Sequence, residues 1–189
     1  MAKLIYVTNV SLDGYIEDEH GAFDWFPIGD EVFAFHTDLL RSVGTLLYGR
    51  RLYEAMSLWE TDAALAAQSD LTADFASAWQ AASKVVYSTT LAAVSTADTR
   101  LERRFDPAAV RELKATASSD LTVGGANLAT QAFKAGLVDE CQLIILPVVV
   151  GGGKPGLPTG IRADLELLDE RRFRNGVVHL RYRPRQGQV

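Results

Sequence analysis

The stretch Leu121–Thr122–Val123–Gly124–Gly125–Ala126–Asn127–Leu128 decides our interpretation of the fold. A β-rich run ends in two glycines, and the pattern predicts a helix directly after it, over 126–134. Glycine at such a junction allows a tight turn and a close approach of the backbone to a ligand. The start of a helix also offers unpaired N–H groups and the positive end of the helix dipole. The junction is therefore either a plain strand-to-helix turn or a site for an anion such as a dinucleotide pyrophosphate.

Strand-like and helix-like segments alternate on both sides of this junction. The predicted strands are 3–10, 45–48, 84–88, 121–123 and 140–150, and the predicted helices are 30–43, 50–58, 71–82, 107–114 and 126–134. Two further strands, 165–174 and 177–183, meet at Asn175–Gly176, which is the strongest short signal for a β-hairpin. We interpret 11–26 as a loop and 59–72 as either a surface helix or a loop. The pattern predicts one α/β domain over 1–189, with a mostly parallel central sheet flanked by helices and an antiparallel C-terminal hairpin.

Composition limits the classes of partner. The chain has 189 residues, of which 48% are hydrophobic and 23% charged, and its net charge is −5. This acidic balance argues against nucleic acid or an anionic membrane as the main partner. The single cysteine, Cys141, excludes an internal disulfide. Because we find no signal peptide and no apolar run near the ~20 residues of a membrane span, we expect a cytoplasmic protein.

Several common functional motifs fail on inspection. A Rossmann fingerprint would follow the first strand, but Ser11–Leu12–Asp13–Gly14 stands there. Gly151–Gly152–Gly153–Lys154 looks like part of a P-loop, yet Pro155 occupies the position that needs Ser or Thr. The three histidines lack the spacing of metal ligands and the cysteine has no partner, so we expect no metal. No Gly-x-Ser-x-Gly sequence supports a serine hydrolase.

Glycines and small polar residues follow three of the predicted strands. Gly49–Arg51 follows 45–48, Ser88–Thr90 follows 84–87, and Gly124–Gly125 follows 121–123. The carboxyl ends of parallel strands share one edge, where open α/β sheets bind ligands. Arg50 and Arg51 can grip a phosphate through forked hydrogen bonds. The alternative is solvated charge at a helix start, where cations oppose the helix dipole.

These motifs, in this order, resemble a known family. The matching segments are Ser11–Ile16, Leu47–Arg50, Val85–Thr89, Val123–Ala126 and Pro147–Gly153. Together they resemble the dihydrofolate-reductase-like superfamily, and more closely the C-terminal reductase domain of the bifunctional riboflavin-biosynthesis deaminase/reductase and its stand-alone relatives. The resemblance implies a fold built on a mainly parallel sheet, NADPH as cofactor, and assembly as a homodimer.

The resemblance also implies which residues bind the cofactor. Gly124 and Gly125 match the glycines that receive the pyrophosphate, and Gly49 with Arg50 matches the pair that holds the adenosine phosphate end. The full set of matching positions is Val10, Leu12, Gly14, Gly49, Arg50, Arg51, Ser88, Thr89, Gly124, Gly125, Ala126, Asn127 and Leu128. Leu52 and Thr89 depart from dihydrofolate reductases, which often have threonine and a basic residue there. A preference for NADPH over NADH therefore depends mainly on Arg50 and Arg51.

The substrate side of the site has two candidate proton donors, Asp13 and Asp30. Asp13 belongs to the Ser-Leu-Asp-Gly stretch, and its alternative role is that of a turn-forming residue before glycine. Asp30 follows Trp25 at the spacing that separates a tryptophan from the pterin-binding acid of dihydrofolate reductases, and its alternative is a helix N-cap or first-turn acid. Trp25 and Phe26 either stack on a flat heterocycle or belong to the core or a dimer contact.

The resemblance predicts an NADPH-dependent reductase that acts on a pyrimidine or pterin-like heterocycle. The alternatives are dihydrofolate reductase-type activity and a dimeric nucleotide-binding protein without catalysis. The riboflavin-pathway substrate carries a ribose phosphate, for which Arg41 and Lys154 are the only candidate contacts. We expect the dimer to form through 140–150 or the C-terminal hairpin, because that strand is apolar on both faces and the hairpin is a natural sheet edge.

Overall fold

A large mixed sheet forms the centre of the protein. The computed structural model describes residues 1–185. Its strands are β1 (Leu4–Ser11), β2 (Tyr15–Glu17), β3 (Val43–Gly49), β4 (Ser83–Tyr87), β5 (Thr99–Glu102), β6 (Asp120–Gly124), β7 (Glu140–Leu146), β8 (Lys154–Pro155), β9 (Leu165–Arg172) and β10 (Val178–Pro184). Eight of them form one sheet in the order β5–β4–β3–β6–β1–β7–β10–β9. The first six strands in this order pair in parallel, and β10 pairs antiparallel with both of its neighbours. This confirms the predicted fold class.

Helices cover both faces of the sheet. They are α1 (Gly29–Arg41), α2 (Arg50–Met56), α3 (Leu58–Thr61), α4 (Ala63–Ala66), α5 (Asp70–Ala81), α6 (Pro107–Thr116) and α7 (Ala126–Lys134). Alternate residues of β1 face the two layers. Leu4 and Tyr6 pack with α6 and α7, whereas Ile5 and Val7 pack with α1 and α5. No helix within residues 1–185 is long and apolar enough to cross a membrane.

Local signals predicted the bounds of some helices correctly. α7 begins and ends where the pattern places it, because Gly136 adopts φ +63° and donates its N–H to the carbonyl of Phe133 at 2.9 Å. α6 begins at Pro107, where the Asp106 carboxylate accepts the N–H of Ala108 at 2.9 Å. The C-terminal end of α7 and the N-terminal end of α6 are each closed by residues within four positions, and such local signals can be recognised in the sequence.

Two predicted elements are too long. β7 ends at Leu146 rather than at residue 150, because Pro147 cannot donate to the ladder. Nor is this strand wholly apolar, since Glu140 and Gln142 are buried in it. The helix predicted over 30–43 ends at Arg41, and Val43 already belongs to β3. The segment 59–72 is mostly helical, in the short helices α3 and α4 and the start of α5.

The predicted loop 11–26 contains a strand, β2, that pairs with β8 in a separate two-stranded sheet. Gly153, at φ +130°, lies so close to this strand that an added Cβ would stand 2.0 Å from the carbonyl oxygen of Glu17. Lys154 Nζ lies 3.3 Å from a carboxylate oxygen of Glu17. The Gly-rich segment 151–154 thus holds the first loop in place.

The strand β5 was not predicted from the sequence, because it is a short edge strand with alternating charged residues.

Helix α1 brings His36 close to His179 of β10. His36 Nε2 is buried and has no hydrogen-bond partner among residues 1–185. His179 Nε2 lies 3.0 Å from Oε1 of Gln142. Burial, and secondarily the proximity of His179, lowers the pKa of His36 to about 4. His36 is therefore neutral in the folded protein at neutral pH.

We expect His36 to make the protein sensitive to acid. The unfolded chain binds a proton at His36 below about pH 6.5, whereas the folded protein does so only near pH 4. The free energy of unfolding should therefore fall as the pH drops through this window, by about 1.5 kcal/mol between pH 6.5 and pH 5. Urea unfolding of wild type and His36→Leu at both pH values measures this, and the variant should lose most of the dependence. An equal pH dependence in the two proteins would show that His36 does not carry it.

Candidate active site

The strand order predicts a crevice at the carboxyl ends of the parallel strands, beside the end of β6. After β6 the chain enters α7 on one face of the sheet. The next helices after its neighbours β1 and β3 are α1 and α2, and both lie on the other face. Such a reversal separates the connecting loops and leaves a crevice, which is where open α/β sheets bind ligands. β1 borders this crevice, because its register with β6 ends at Tyr6 while its register with β7 continues to Ser11.

The β6–α7 junction supplies backbone donors to this crevice. The first hydrogen bond of α7 runs from the N–H of Ala129 to the carbonyl of Gly125 at 2.9 Å. The N–H groups of Ala126, Asn127 and Leu128 therefore have no partner within the helix. The side chains of Ala126 and Leu128 are buried, so these two residues can serve a ligand only through their backbone.

The two glycines of the junction have different roles. A Cβ on Gly124 would stand 2.4 Å from a methyl group of Leu52, so this glycine allows α2 to pack against β6. Gly125 adopts φ +91°, a conformation that glycine tolerates and other residues adopt only with strain. A Cβ on Gly125 would point into the gap beside Gly49, with the Gly49 nitrogen 4.0 Å away. The space between Gly125 and Gly49 is thus a cradle that any side chain at residue 125 would begin to fill.

The β3–α2 junction places both predicted arginines beside this cradle. Gly49 is the N-cap of α2, and Arg50 and Arg51 are exposed in its first turn. Arg50 Nη1 donates to Thr90 Oγ1 at 3.1 Å, and its Nε lies 3.7 Å from a carboxylate oxygen of Glu54. Arg51 forms no hydrogen bond or ion pair within the described residues. Arg51 is therefore the freer of the two to meet an anion.

The loop after β4 is built around Ser88 and Arg103. Ser88 Oγ accepts the N–H groups of Thr90 at 3.2 Å and Leu91 at 2.9 Å, so this buried hydroxyl shapes the loop. Thr89 is exposed at its tip. Arg103, which follows β5, donates to the carbonyls of Ser88 at 3.2 Å and Leu91 at 2.6 Å. No sequence motif marks Arg103, because its partners lie more than ten positions away.

The end of β1 reaches the crevice from the opposite side. Val10 is buried in the core, whereas the side chain of Leu12 is 65% exposed. The Leu12 N–H donates to the carbonyl of Val148 at 2.7 Å, and Gly14, at φ +90°, turns the chain into β2. An added Cβ on Gly156 would collide with Val10, so the 147–156 segment packs directly on the end of β1.

Asp13 fastens these two segments together. Its carboxylate accepts the N–H of Gly151 at 2.8 Å and that of Val150 at 3.2 Å. The Ser11 hydroxyl, together with these two N–H groups, holds the pKa of Asp13 below its usual value. A carboxylate that is kept ionised and occupied by two backbone donors is poorly suited to deliver a proton. The geometry thus favours a structural role for Asp13 over proton donation. Its carboxylate shapes the turn and also binds Gly151, which is 138 positions away in the sequence.

We expect Asp13→Ala to destabilise the protein in a pH-dependent way. Because the folded pKa lies below the ordinary value of 3.8, the stabilisation is present above that value and is lost as the pH falls through the folded pKa. The difference in urea midpoint between wild type and Asp13→Ala should therefore be clear at neutral pH and shrink toward about pH 3. Asp24→Ala, which removes an exposed carboxylate from the same loop, is the control. A difference in urea midpoint that stays the same in acid would contradict this stabilising role of the Asp13 carboxylate.

The remaining candidates lie where the first loop meets α1. Asp30 is exposed in the first turn of α1, so its alternative role at a helix start is consistent with its position. Trp25 Nε1 donates to the Asp18 carboxylate at 3.2 Å. Phe26 is half-buried and packs on the cluster that contains Val32 of α1. α1 begins at the same sheet edge as the ends of the parallel strands, beside the β9–β10 hairpin, where Asn175 donates to the carbonyl of Ile28 at 2.7 Å.

Two basic residues considered for a ribose phosphate, Arg41 and Lys154, are paired with carboxylates. Arg41 lies at the C-terminal end of α1, near the opposite edge of the sheet, and pairs with Asp74. Lys154 is engaged by Glu17, as described above. Among residues 1–185, no group of three or more His, Cys, Asp or Glu side chains is arranged to hold a metal ion.

The mostly parallel central sheet, with helices on both faces and an antiparallel C-terminal strand pair, defines an open-sheet α/β protein. Residues 2–179 match the model of the RibD C-terminal domain, and the chain belongs to this family. It is 34% identical over 187 residues to the uncharacterized protein YyaP of Bacillus subtilis strain 168, covering 95% of this chain and 94% of that protein. These findings confirm the resemblance seen in the sequence.

Solved structures share the fold. A putative riboflavin biosynthesis protein from Shewanella sp. PV-4 matches with a TM-score of 0.76 and 21% identity, over 98% of this chain and all of that one. A diaminohydroxyphosphoribosylaminopyrimidine deaminase/5-amino-6-(5-phosphoribosylamino)uracil reductase from Thermotoga maritima matches with a TM-score of 0.63 and 13% identity. That match covers 97% of this chain and 57% of the bifunctional protein.

Proposed function

We propose that this protein is an NADPH-dependent reductase that transfers hydride to a pyrimidine or pterin-like heterocycle. The observation that carries the proposal is the cradle between Gly125 and Gly49 at the end of β6. At this edge of the sheet, a glycine backbone that a ligand can approach closely lies beside the free N–H groups of α7 and the two arginines of α2. Membership of the RibD C-terminal domain family supports the reaction class, since a structural relative is named as a uracil reductase.

The chain's own groups fit this cofactor. The N–H groups of Ala126, Asn127 and Leu128 would bind the pyrophosphate, with the dipole of α7 favouring its negative charge. Arg51 and Arg50 would bind the phosphate on the adenosine side. NADPH supplies the hydride when it is bound, and the protein supplies orientation and exclusion of water.

The α1 side of the crevice would receive the substrate. Trp25 and Phe26 offer flat apolar surfaces for a heterocycle. Because Asp13 is held by the 147–153 segment, Asp30 or a water molecule is the better candidate to deliver the proton. Neither Arg41 nor Lys154 is free at this edge, which favours recognition of the heterocycle itself over recognition of a ribose phosphate.

Oxidation of NADPH in the presence of a substrate panel tests the function. The panel contains 5-amino-6-(5-phosphoribosylamino)uracil, its dephosphorylated form and dihydrofolate. Turnover of either uracil supports the proposal, whereas turnover of dihydrofolate alone indicates a dihydrofolate reductase-type enzyme. NADPH binding without turnover of any panel member would favour a nucleotide-binding protein, and absence of NADPH binding would overturn the proposal.

We further propose that the protein forms a homodimer through the β9–β10 hairpin. β9 is an edge strand with unpaired backbone groups, and its Leu167 is 48% exposed. Light scattering should give about twice the 20.6 kDa of one chain. Leu167→Arg should yield a folded monomer, whereas Leu58→Arg, which changes an equally exposed leucine on α3, should leave the dimer intact. A wild-type mass of one chain would end this proposal.

A further inference from the structure

Asn9 is a polar residue in an apolar setting at the border of the crevice. It lies on the part of β1 that extends beyond the register with β6, and it pairs with Ile144 of β7 on the other side. Because side chains alternate along a strand, Asn9 projects to the same face as Val7. Val7 packs with Val32 and Phe33 of α1, so the Asn9 side chain lies on the α1 side of the sheet.

The carboxamide of Asn9 lacks a partner. Its Oδ1 atom is buried and accepts no hydrogen bond from any group of residues 1–185. A buried carbonyl oxygen without a donor costs free energy, and such groups are rare in native proteins unless a ligand or water satisfies them. Asn9 therefore has an unmet capacity for hydrogen bonding at the border of the proposed site.

The position of Asn9 separates it from the cofactor's phosphates. The cradle and the arginines that would bind the phosphates follow β6 and β3, whereas Asn9 lies on β1, one strand from β6 and two from β3. Its side chain projects to the face that carries α1, and the N–H groups of α7 belong to the opposite face. A ligand group that meets Asn9 from the α1 side is thus a part of the substrate rather than the pyrophosphate or the adenosine.

We propose that the Asn9 carboxamide recognises a lactam edge of the substrate, meaning a ring N–H next to a ring carbonyl. Because Oδ1 is shielded in the ligand-free protein, the carboxamide turns to meet the ring: Oδ1 then accepts from the ring N–H and Nδ2 donates to the carbonyl, so that the two amide groups pair through two hydrogen bonds. This inference rests on the proposed function and makes it more specific. It restricts the substrate to heterocycles such as pyrimidinediones and pterin-4-ones, and it makes Asn9 a specificity-determining residue.

The test compares two uracils that differ only in methylation of the ring nitrogens. The first is 5,6-diaminouracil, which has a lactam edge, and the second is 5,6-diamino-1,3-dimethyluracil, in which both ring N–H groups are methylated. Calorimetric titration of each into wild type and Asn9→Ala, both saturated with NADP⁺, gives four dissociation constants. We expect Asn9→Ala to weaken binding of 5,6-diaminouracil by at least about tenfold and to leave the already weak binding of the dimethyl compound unchanged.

Two controls separate recognition from folding. The affinity of Asn9→Ala for NADPH should stay within about twofold of wild type, because Asn9 does not face the phosphates. The thermal midpoint of Asn9→Ala should stay close to that of wild type. The Oδ1 atom that the substitution removes forms no hydrogen bond in the ligand-free protein. Asn9→Asp keeps the shape and the acceptor but loses the donor, and it should also weaken binding of 5,6-diaminouracil. This second variant serves if Asn9→Ala does not fold.

The outcomes are distinct. Equal affinity of wild type and both variants for 5,6-diaminouracil would overturn the role of Asn9 and leave the proposed reductase function intact. Failure of the wild type to bind either uracil would overturn the proposed substrate class, and the role of Asn9 with it. Loss of NADPH affinity with retained uracil affinity would assign Asn9 to the carboxamide of the nicotinamide instead, which contradicts recognition of the substrate.

Discussion

A Gly125→Asp variant should lose NADPH binding altogether. The new side chain would enter the cradle beside Gly49, and its negative charge would compete with the pyrophosphate for the N–H groups of α7. Hydrogen bonds to charged groups are worth about 1.5–3 kcal/mol each, so the loss of two of them lowers affinity by at least about a hundredfold. Fluorescence or calorimetric titration of NADPH measures the effect.

The matched control for this variant is Gly125→Ala. Residue 125 has φ +91°, so both substitutions impose the same kind of backbone strain, which costs about 1–3 kcal/mol of stability. Only the aspartate adds charge, and we expect the alanine variant to keep measurable affinity. Circular dichroism and thermal unfolding establish that both variants fold. A folded Gly125→Asp protein with wild-type affinity would show that the pyrophosphate does not bind at the end of β6.

Arg51→Ala should reduce the preference for NADPH over NADH by about one to two decades. A charge-assisted contact with the adenosine phosphate is worth about 1.5–3 kcal/mol, and NADH cannot form it. We expect a smaller effect from Arg50→Ala, because Arg50 is already bonded to Thr90 and lies near Glu54. The measurement is the ratio of the two dissociation constants in each variant.

Arg183→Ala is the control for the arginine variants. Arg183 lies toward the C-terminal end of β10, which runs antiparallel to β7 and ends at the opposite edge of the sheet, and it pairs with Glu166. This variant should leave the ratio of NADPH to NADH affinity unchanged. If Arg50→Ala and Arg51→Ala leave the ratio unchanged as well, the adenosine phosphate binds elsewhere.

Much of the fold and part of the site could be predicted from the sequence. The three junctions at Gly49, Ser88 and Gly124–Gly125 were expected at one edge, and they follow the neighbouring strands β3, β4 and β6. Their role as a cofactor site stays a prediction. The role of Asp13 could not be decided from its sequence neighbours, because its partners, Val150 and Gly151, are 137 and 138 positions away.

The sequence by itself determined those features whose cause is local. α7 starts after Gly125 and ends before Gly136 because both residues adopt positive φ, and the neighbouring backbone closes the helix within a few positions. Only the tertiary structure decided the order of the strands, the crevice at the end of β6 and the unpartnered carboxamide of Asn9. These depend on which distant segments pack together, and on which polar groups that packing leaves without a partner, so no short stretch of sequence encodes them.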